Sequence, residues 1–264
     1  MARLLFLGDI VGRAGRSAVI RHLPALREEL ELTAVFANGE NAAGGSGINL
    51  SIAHELRKAG VDALTLGDHC WDQRGFESDI QQLDFVCRPA NLPPTCPGRP
   101  WLIVDVAGCR VAVLTLLGTQ FMKVRADDPF RAADRLLAEL KPQADAIIVE
   151  IHAEATSEKV AMGWYLDGRV AAVLGSHTHI PTADGRLLPR GTAYLTDLGM
   201  TGPYRSILGR EIGPVVASFL DGMPRRFTVA DESCDVRLCG VLLEFDPATG
   251  RTRRIERFER SIAP

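Results

Sequence analysis

The stretch Arg3-Leu-Leu-Phe-Leu-Gly-Asp9 is an apolar run that ends on a carboxylate. Further stretches share this form, because each follows a run rich in Leu, Val, Ile or Ala and ends on a side chain that can bind a metal. They are Asn-Gly-Glu40-Asn41, Leu-Gly-Asp68-His69, Glu-Ile-His152 and Gly-Ser-His177-Thr-His179. In an open α/β sheet, ligands bind at the carboxyl ends of the strands. These strand ends therefore predict one crevice that holds metal ions.

Strands alternate with helices along most of the chain, which is typical of βαβ units and a parallel sheet. The apolar spacing predicts strands at 3–8, 33–37, 61–66, 101–106, 110–117, 146–151 and 170–174, and helices at about 15–30, 49–59, 129–140 and 157–163. In the last third, short strands are predicted at 193–197, 214–220, 225–229, 239–245 and 252–258. We expect these to form a second, antiparallel or mixed sheet within a single domain over residues 1–264.

The composition is that of an ordinary globular protein, with 46% hydrophobic residues, 24% charged residues and a formal net charge of -3. This charge gives no overall attraction to nucleic acid or to an anionic membrane. No apolar run reaches the roughly 18 residues that a membrane-spanning helix needs. Asp9 interrupts the amino-terminal apolar run, which therefore predicts a strand and not a signal peptide. A cytoplasmic protein with no membrane partner is predicted.

The cysteines follow neither a CxxC redox pattern nor a zinc-finger spacing, and they are predicted to be reduced. They are Cys70, Cys87, Cys96, Cys109, Cys234 and Cys239. Cys70 adjoins His69 and is a candidate nucleophile, but a small residue beneath a metal site is the favoured interpretation. The basic cluster Arg251–Arg254 is interpreted as a solvated strand edge in preference to a nucleic-acid site.

The candidate ligands are carboxylates and imidazoles without a thiolate, a set that suits iron, manganese or zinc. Alternate side chains of an extended segment point the same way, so His177 and His179 can face one metal pair. Two aspartates, one glutamate and three histidines are too many ligands for one ion that also binds substrate and water. Two ions about 3.5 Å apart use them all, and such a pair holds the oxygens of a phosphoryl group during in-line displacement.

Two of the strand ends carry a second polar side chain beside the first. Asp68 and His69 are adjacent, so their side chains diverge and seldom bind the same ion. We therefore predict that Asp68 binds metal and that His69 faces the substrate as a general acid. Asn41 offers a neutral amide oxygen beside Glu40, whose carboxylate can bridge two cations.

A glycine-rich dinucleotide loop is the competing interpretation of the first stretch, since Gly12 and Gly15 follow Asp9. Two observations count against it. The charge of Asp9 would repel a pyrophosphate, and the histidines at the later strand ends would have no role.

With these residues in view, the sequence resembles the calcineurin-like metallophosphoesterases, whose usual blocks are D-x-H, G-D, G-N-H-[ED], H and G-H-x-H. The corresponding blocks here read D-I-V, G-E-N, G-D-H-C, H and G-S-H-T-H, with departures at Val11, Glu40 and Asp68. The stretches G-D-I-V-G-R-A-G-R, N-G-E-N-A-A-G-G and G-D-H-C-W-D are similar to the YmdB-like branch. This resemblance spans residues 8 to about 200. It implies an α/β fold of mixed central sheets flanked by helices, a β-sandwich with four αββα layers.

The resemblance also implies the site. One metal would be held by Asp9, Glu40, Asn41 and His179, and the other by Glu40, Asp68, His152 and His177. Asn41 would fill the place of the histidine that is missing at Val11. The branch more often has Asn where this chain has Asp68, so an extra negative charge is expected there. Asn41 and His69 would contact the substrate, and His69 would donate a proton to the leaving oxygen while a hydroxide bridging the metals attacks phosphorus.

The branch is associated with hydrolysis of 2',3'-cyclic nucleotides and of general phosphodiesters. The resemblance therefore predicts a binuclear metal-dependent phosphodiesterase that converts a small, 2',3'-cAMP-like cyclic nucleotide to a monoester. Iron or manganese is expected as the metal, with zinc as the alternative. A broad-specificity phosphatase and an RNA-directed nuclease are alternative activities. A regulator that binds a phosphorylated ligand without turnover is the alternative class, against which the intact His69 argues. A homo-oligomer is left open.

Overall fold

The computed structural model describes residues 1–233 and 235–262. The strands are β1 (Ala2–Leu7), β2 (Asp9–Ile10), β3 (Ala34–Asn38), β4 (Ala63–Thr65), β5 (Val86–Cys87), β6 (Leu102–Val106), β7 (Cys109–Leu117), β8 (Ala146–His152), β9 (Ala172–Ser176), β10 (Arg186–Leu187), β11 (Ala193–Leu195), β12 (Met200–Pro203), β13 (Val236–Asp246) and β14 (Arg251–Ile262). The helices are α1 (Gly12–Glu29), α2 (Leu50–Lys58), α3 (Phe76–Asp79), α4 (Pro129–Leu140), α5 (Thr156–Leu166) and α6 (Ile212–Asp221), and a 3₁₀ helix spans Ile80–Gln82. Cys234, predicted to be reduced, lies outside the described residues, and the other cysteines are free thiols.

Two mixed sheets form the centre of the fold. The first has the order β2-β12-β13-β1-β3-β4-β5, with β14 also paired to β13. The second has the order β10-β11-β9-β8-β7-β6. In each sheet a parallel group, β1-β3-β4-β5 or β7-β8-β9-β11, is extended by antiparallel strands. The carboxyl ends of the parallel strands are thus available to form a site.

The sheets pack as the two inner layers of four. Successive side chains of β1 point to opposite faces, so neighbouring residues enter different cores. Leu4 and Phe6 lie in the core between the sheets, whereas Leu5 and Leu7 lie in the core beneath α1 and α2. A third core joins the second sheet to α4 and α5. The predicted αββα fold class is confirmed, and a single domain over residues 1–264 stays a prediction.

Local sequence signals explain why two helices begin where they were predicted. Asn49 precedes α2, and its Oδ1 accepts a hydrogen bond from the Ile52 N–H at 3.0 Å. Asp128 caps α4 in the same way through Phe130 and Arg131, and Pro129 occupies the first helical position. Among the helices of the described ranges, none is both long enough and apolar enough to cross a membrane.

The last third of the chain departs from the prediction. Residues 214–220 were predicted as a strand but lie in α6, which ends at Gly222 in the left-handed conformation. Residues 225–229 were also predicted as a strand, and this fully described segment makes a single β-bridge, between Val229 and Arg210. The predicted separate C-terminal sheet is wrong as well, because β13 pairs with β1 and so extends the first sheet.

Short elements were not predicted, since runs of two to four residues carry no readable periodicity. They are β2, β5, β10, β12 and α3. After β12 the chain makes an excursion over residues 204–230, here called the cap, which contains α6. Its base is closed by hydrogen bonds from Glu211 N to Thr228 O at 3.0 Å and from Ala230 N to Gly209 O at 2.9 Å. Val215 is the one buried residue of α6.

Candidate metal centre

The predicted strand ends meet at one edge of the two sheets. Asp9 follows β1, Glu40 and Asn41 follow β3, Asp68 and His69 follow β4, His152 ends β8, and His177 and His179 follow β9. The first three stretches belong to one sheet and the last two to the other. Because parallel strands of both sheets end here, side chains that are far apart in sequence come into contact.

One set of contacts, called the Asp68 group, consists of Asp68, His152 and His177. The Asp68 Oδ1 atom lies 2.9 Å from His152 Nε2 and 3.2 Å from His177 Nδ1. The two imidazole nitrogens are 3.1 Å apart. Together with Glu40, these residues offer ligand atoms that all lie within 4.8 Å of one another. Two imidazoles aimed at one carboxylate oxygen are arranged to share a cation, and this set equals the one expected for the second metal.

A second set, called the Asp9 group, consists of Asp9, Asn41 and His179. The Asn41 amide nitrogen lies 3.3 Å from His179 Nε2, and Asp9 Oδ2 lies 4.0 Å from the same nitrogen. Glu40 connects the two groups, because its Oε1 atom lies 3.1 Å from both Asn41 Nδ2 and His152 Nε2. Rotation of the Asn41 amide group by half a turn would bring its oxygen, which can bind a metal, to the position that its nitrogen occupies.

The backbone reaches these positions by a bend that was not predicted. His177 and His179 both have positive φ angles, 93° and 64°. The extended segment expected for them is therefore wrong. This conformation is uncommon for residues other than glycine and tends to occur at functional sites. The bend sends His177 to the Asp68 group and His179 to the Asp9 group, so the two imidazoles face different parts of one site.

The side chains fit bound metal cations. Asp9 is fully buried, and among the buried side-chain polar atoms of the described residues its Oδ1 is the one without a hydrogen-bond partner. Such an atom is costly unless something positive or a donor satisfies it. Gly67 passes directly under the ligands, since a Cβ there would lie 2.3 Å from Glu40 Oε2 and 2.4 Å from His152 Nε2. The mixture of carboxylate and imidazole suits iron, manganese or zinc.

The electrostatics differ between the groups. Burial raises the pKa of Asp9 well above its usual value. Burial also acts to raise the pKa values of Glu40 and Asp68, but the neighbouring histidines, His152 above all, outweigh it and hold both below their ordinary values. For His152, burial acts to lower the pKa, yet Glu40 and Asp68 raise it. Burial lowers the pKa of His179, which favours the neutral imidazole that a metal ligand requires.

A buried polar network behind His152 was not predicted. His152 Nδ1 lies 2.9 Å from Ser176 Oγ, which donates to Glu150 Oε1 at 2.6 Å. Asn38 and Thr115 donate to the same carboxylate at 2.8 and 2.9 Å. The network fixes the imidazole with Nε2 toward the ligand cluster, as outer partners of metal-binding histidines do. The sequence held one signal for it, because Glu150 and His152 are two apart on one strand and share a face.

His69 lies at the edge of the ligand cluster. Its Nδ1 is 2.7 Å from Asp72 Oδ2, and its backbone N–H donates to Glu40 Oε2 at 3.0 Å. The ring lines a cavity of about 430 Å³ that also exposes Glu40, Asn41, His177 and His179. Neighbouring Cys70 is buried, and burial raises the pKa of its thiol. This disfavours a thiolate nucleophile and agrees with a packing role for Cys70.

The cap completes the surroundings of His179. The Leu208 carbonyl lies 3.2 Å from His179 Nδ1 and can accept its proton. That hydrogen bond leaves Nε2 as the acceptor nitrogen, which faces Asn41 and Asp9.

Comparisons with known proteins place the chain in a family. The family model described as YmdB-like protein matches residues 5–258. The chain belongs to the YmdB-like family. A relative from Bacillus subtilis (strain 168), named 2',3'-cyclic-nucleotide 2'-phosphodiesterase, is 44% identical over 255 residues, which are 97% of this chain and 96% of the relative.

Solved structures agree with this membership. A hypothetical protein from Thermus thermophilus is 44% identical with a TM-score of 0.91, and the match covers 98% of this chain and 99% of that one. A crystal structure described as a novel phosphatase from Mycoplasma pneumoniae is 32% identical with a TM-score of 0.92, covering 98% of this chain and 93% of that one. The predicted resemblance is confirmed, and so is the prediction of an enzyme of the phosphoric ester hydrolase class. The roles of single site residues stay predictions.

Proposed function

We propose that this YmdB-like protein is a binuclear metal-dependent phosphodiesterase that hydrolyses a small cyclic nucleotide such as 2',3'-cAMP. The position of Glu40 carries the proposal, because its carboxylate contacts both the Asp9 group and the Asp68 group. One carboxylate between two ligand sets is what a pair of ions sharing a bridging ligand requires. The name of the Bacillus relative supports a 2',3'-cyclic nucleotide as the substrate.

The two groups divide the proposed ligands. Asp9, Glu40, Asn41 and His179 would hold one ion, and Glu40, Asp68, His152 and His177 the other. When bound, iron or manganese, with zinc as the alternative, would supply positive charge to the phosphoryl oxygens and lower the pKa of a water nucleophile. Asn41 lines the cavity beside these ligands and is proposed to contact the phosphoryl group as well.

The chain itself supplies the proton for the leaving group. Opening a cyclic diester breaks one P–O bond, and the departing ribose oxygen needs a proton. In the protonated imidazole of His69, Nδ1–H donates to Asp72, whose carboxylate stabilises the positive ring at 2.7 Å. The other ring nitrogen, Nε2, is then the donor to the leaving oxygen. Ser46 fixes Asp72 by donating its hydroxyl hydrogen to the same carboxylate oxygen.

Replacing the proposed acid tests this function. His69→Ala is expected to lower turnover of 2',3'-cAMP by roughly 10²- to 10⁴-fold, the usual contribution of general acid catalysis. Metal content, measured by elemental analysis, is expected to stay unchanged because His69 is not a ligand. The matched control is His54→Ala, an exposed histidine on α2, which leaves both quantities as in the wild type. Wild-type turnover in His69→Ala would remove the general-acid role of His69, and no turnover in the metal-loaded wild type would favour the regulator.

A substrate panel separates the alternative activities. Phosphomonoesters, 2',3'- and 3',5'-cyclic nucleotides and short RNA are compared, with Mn²⁺ or Fe²⁺ added in turn. The proposal expects the 2',3'-cyclic nucleotides to give the highest kcat/KM. Faster cleavage of monoesters or of RNA would instead support the phosphatase or the nuclease. Fewer than about one metal per chain would contradict the paired-ion site.

A further inference from the structure

The cavity above the ligand cluster has two unlike sides. One side is polar and belongs to the strand ends, with Glu40, Asn41, His69, His177 and His179. The other side belongs to the cap and is mainly apolar, with Ile207, Leu208, Val215, Phe219 and Phe227 beside the polar Arg210 and Ser218. The volume of about 430 Å³ is within the range of small-molecule sites. A ligand that fills this cavity therefore needs both a phosphate-like end and a flat or apolar end.

The two phenylalanines of the cap are unusually open for apolar side chains. Phe219 on α6 is 85% exposed, and Phe227 on the returning segment is 39% exposed. Neither ring packs against another aromatic ring in the part of the chain that the structure describes. Exposed apolar side chains grouped at the edge of a polar cavity indicate a binding surface. Both rings therefore offer accessible apolar surface to a ligand in the cavity.

Arg210 holds this apolar side in place relative to the ligand cluster. Its guanidinium donates to the Phe227 carbonyl at 3.2 Å and to the carbonyls of Gly44 and Gly45. Those glycines belong to the loop that follows Glu40 and Asn41 along the chain. Arg210 makes no ion pair with any carboxylate of the described ranges, so its hydrogen bonds serve to join the cap to that loop. Arg210 thus connects the segment that carries Phe227 to the loop beside the proposed ligands.

We propose that Phe219 and Phe227 form the nucleobase subsite, an inference that rests on the proposed function and deepens it. With the cyclic phosphate at the polar side, the ribose lies between the two sides and the base reaches the cap. The base is the part of the substrate with a π-face, and stacking on an aromatic ring tolerates every base. The subsite therefore binds nucleosides as a class and discriminates weakly between purines and pyrimidines.

The experiment compares a substrate that has a base with one that lacks it. The pair is 2',3'-cAMP and methyl β-D-ribofuranoside 2,3-cyclic phosphate, which share the reacting ring. For Phe219→Ala and Phe227→Ala, KM for 2',3'-cAMP is expected to rise by about 5- to 100-fold, the fold-change that loss of a base–aromatic stack produces. Hydrolysis of the base-free substrate and the metal content are expected to stay at wild-type values. Phe121→Ala is the matched control, since that ring is equally exposed, at 85%, and does not line the cavity.

The outcomes separate this inference from the function on which it rests. Equal losses on both substrates, or no loss on either, would overturn the base subsite. So would equal kcat/KM of the wild type on the two substrates, and the phosphodiesterase would stand in that case. Hydrolysis of neither substrate by the metal-loaded wild type would overturn the proposed function itself. Phe227→Leu keeps an apolar side chain in the cap and removes the ring, so it is expected to show the same selective rise in KM if Phe227→Ala does not fold.

Discussion

The Asp68 group and the Asp9 group differ in how the protein balances their charges. In the Asp68 group, the carboxylate oxygen has two imidazole nitrogens at 2.9 and 3.2 Å. In the Asp9 group, the nearest imidazole nitrogen lies 4.0 Å from Asp9 Oδ2, and Asp9 Oδ1 has no partner among the described residues. One half of the centre is therefore compensated by its own side chains. In the other half, Asp9 is a buried carboxyl group that lacks such compensation, which a bound cation would supply.

The origin of this difference lies behind the histidines. His152 is held by Ser176 and Glu150, both buried inside the second sheet. His179 is held by the carbonyl of Leu208, which belongs to the largely exposed cap. A rigid network preorganises a ligand, whereas a mobile or exposed partner leaves it to be ordered on binding. We infer that the Asp68 group is preformed and that the Asp9 group gains more from its ion.

The largest effect is expected when the residue that contacts both groups, Glu40, is replaced. Glu40→Gln is expected to lower turnover by more than about 100-fold, because changing even an outer partner of a ligand costs roughly 10- to 100-fold. It is also expected to deplete both metals, since the carboxylate contacts both groups. Elemental analysis and steady-state kinetics measure these effects. Glu139→Gln, at an exposed carboxylate on α4 that does not line the cavity, is the control. Full retention of both metals in Glu40→Gln would show that the two groups bind their ions without a shared carboxylate.

A smaller effect is expected from loosening the preformed half alone. Ser176→Ala removes the hydroxyl beside His152 Nδ1 and leaves the Glu150 carboxylate with one donor fewer. Turnover is expected to fall by about 10- to 100-fold, with weaker binding of one of the two metals. A metal titration followed by kinetics distinguishes the two sites. Ser51→Ala, at an exposed serine on α2, should have no effect. An equal loss of affinity for both metals would show that the hydrogen bonds behind His152 affect both groups and not the Asp68 group alone.

Elements whose signals lie close together in the sequence could be predicted, whereas elements that depend on distant contacts could not. The helix at 129–140 was predicted at its observed bounds because its signals, Asp128 and Pro129, are local. Residues 214–220 were assigned to a strand because α6 has few polar residues to show a helical face. The helix keeps most of its apolar side chains exposed, so its pattern does not report burial. Whether such an apolar run pairs in a sheet or forms a helix of the cap depends on contacts with residues far away in the sequence.

For the site, the meeting of the proposed ligands could be predicted and their supports could not. Each proposed ligand follows an apolar strand, so its position along the chain placed it at the shared edge of the sheets. Asn38 and Glu150 are hydrogen-bonded across 112 positions, a pairing that only the assembled sheets create. The positive φ angles of His177 and His179 could not be predicted from the sequence either, because neither residue is a glycine. Sequence thus predicted which side chains meet, and tertiary structure decides how each is oriented.

The smallest expected effect is on the stability of the metal-free protein, where the two groups should respond with opposite signs in the free energy of unfolding. Asp9→Asn removes a buried carboxyl group that is costly to ionise and whose Oδ1 has no partner among the described residues, so it should raise the free energy of unfolding by about 1–2 kcal/mol. Asp68→Asn removes the charge that two imidazoles contact, so it should lower the free energy of unfolding by a similar amount, about 1–2 kcal/mol. For a chain of this size each kcal/mol shifts Tm by about 2–4 °C.

Thermal unfolding in the presence of a chelator measures both variants against the wild type. Opposite shifts in Tm are expected without metal. With metal restored, Asp9→Asn should lose stability relative to the wild type, because it lacks the charge that an ion would balance. Shifts of the same sign in the metal-free protein would mean that the two carboxylates are equally compensated. The difference between the halves would then lie in their geometry and not in their charge.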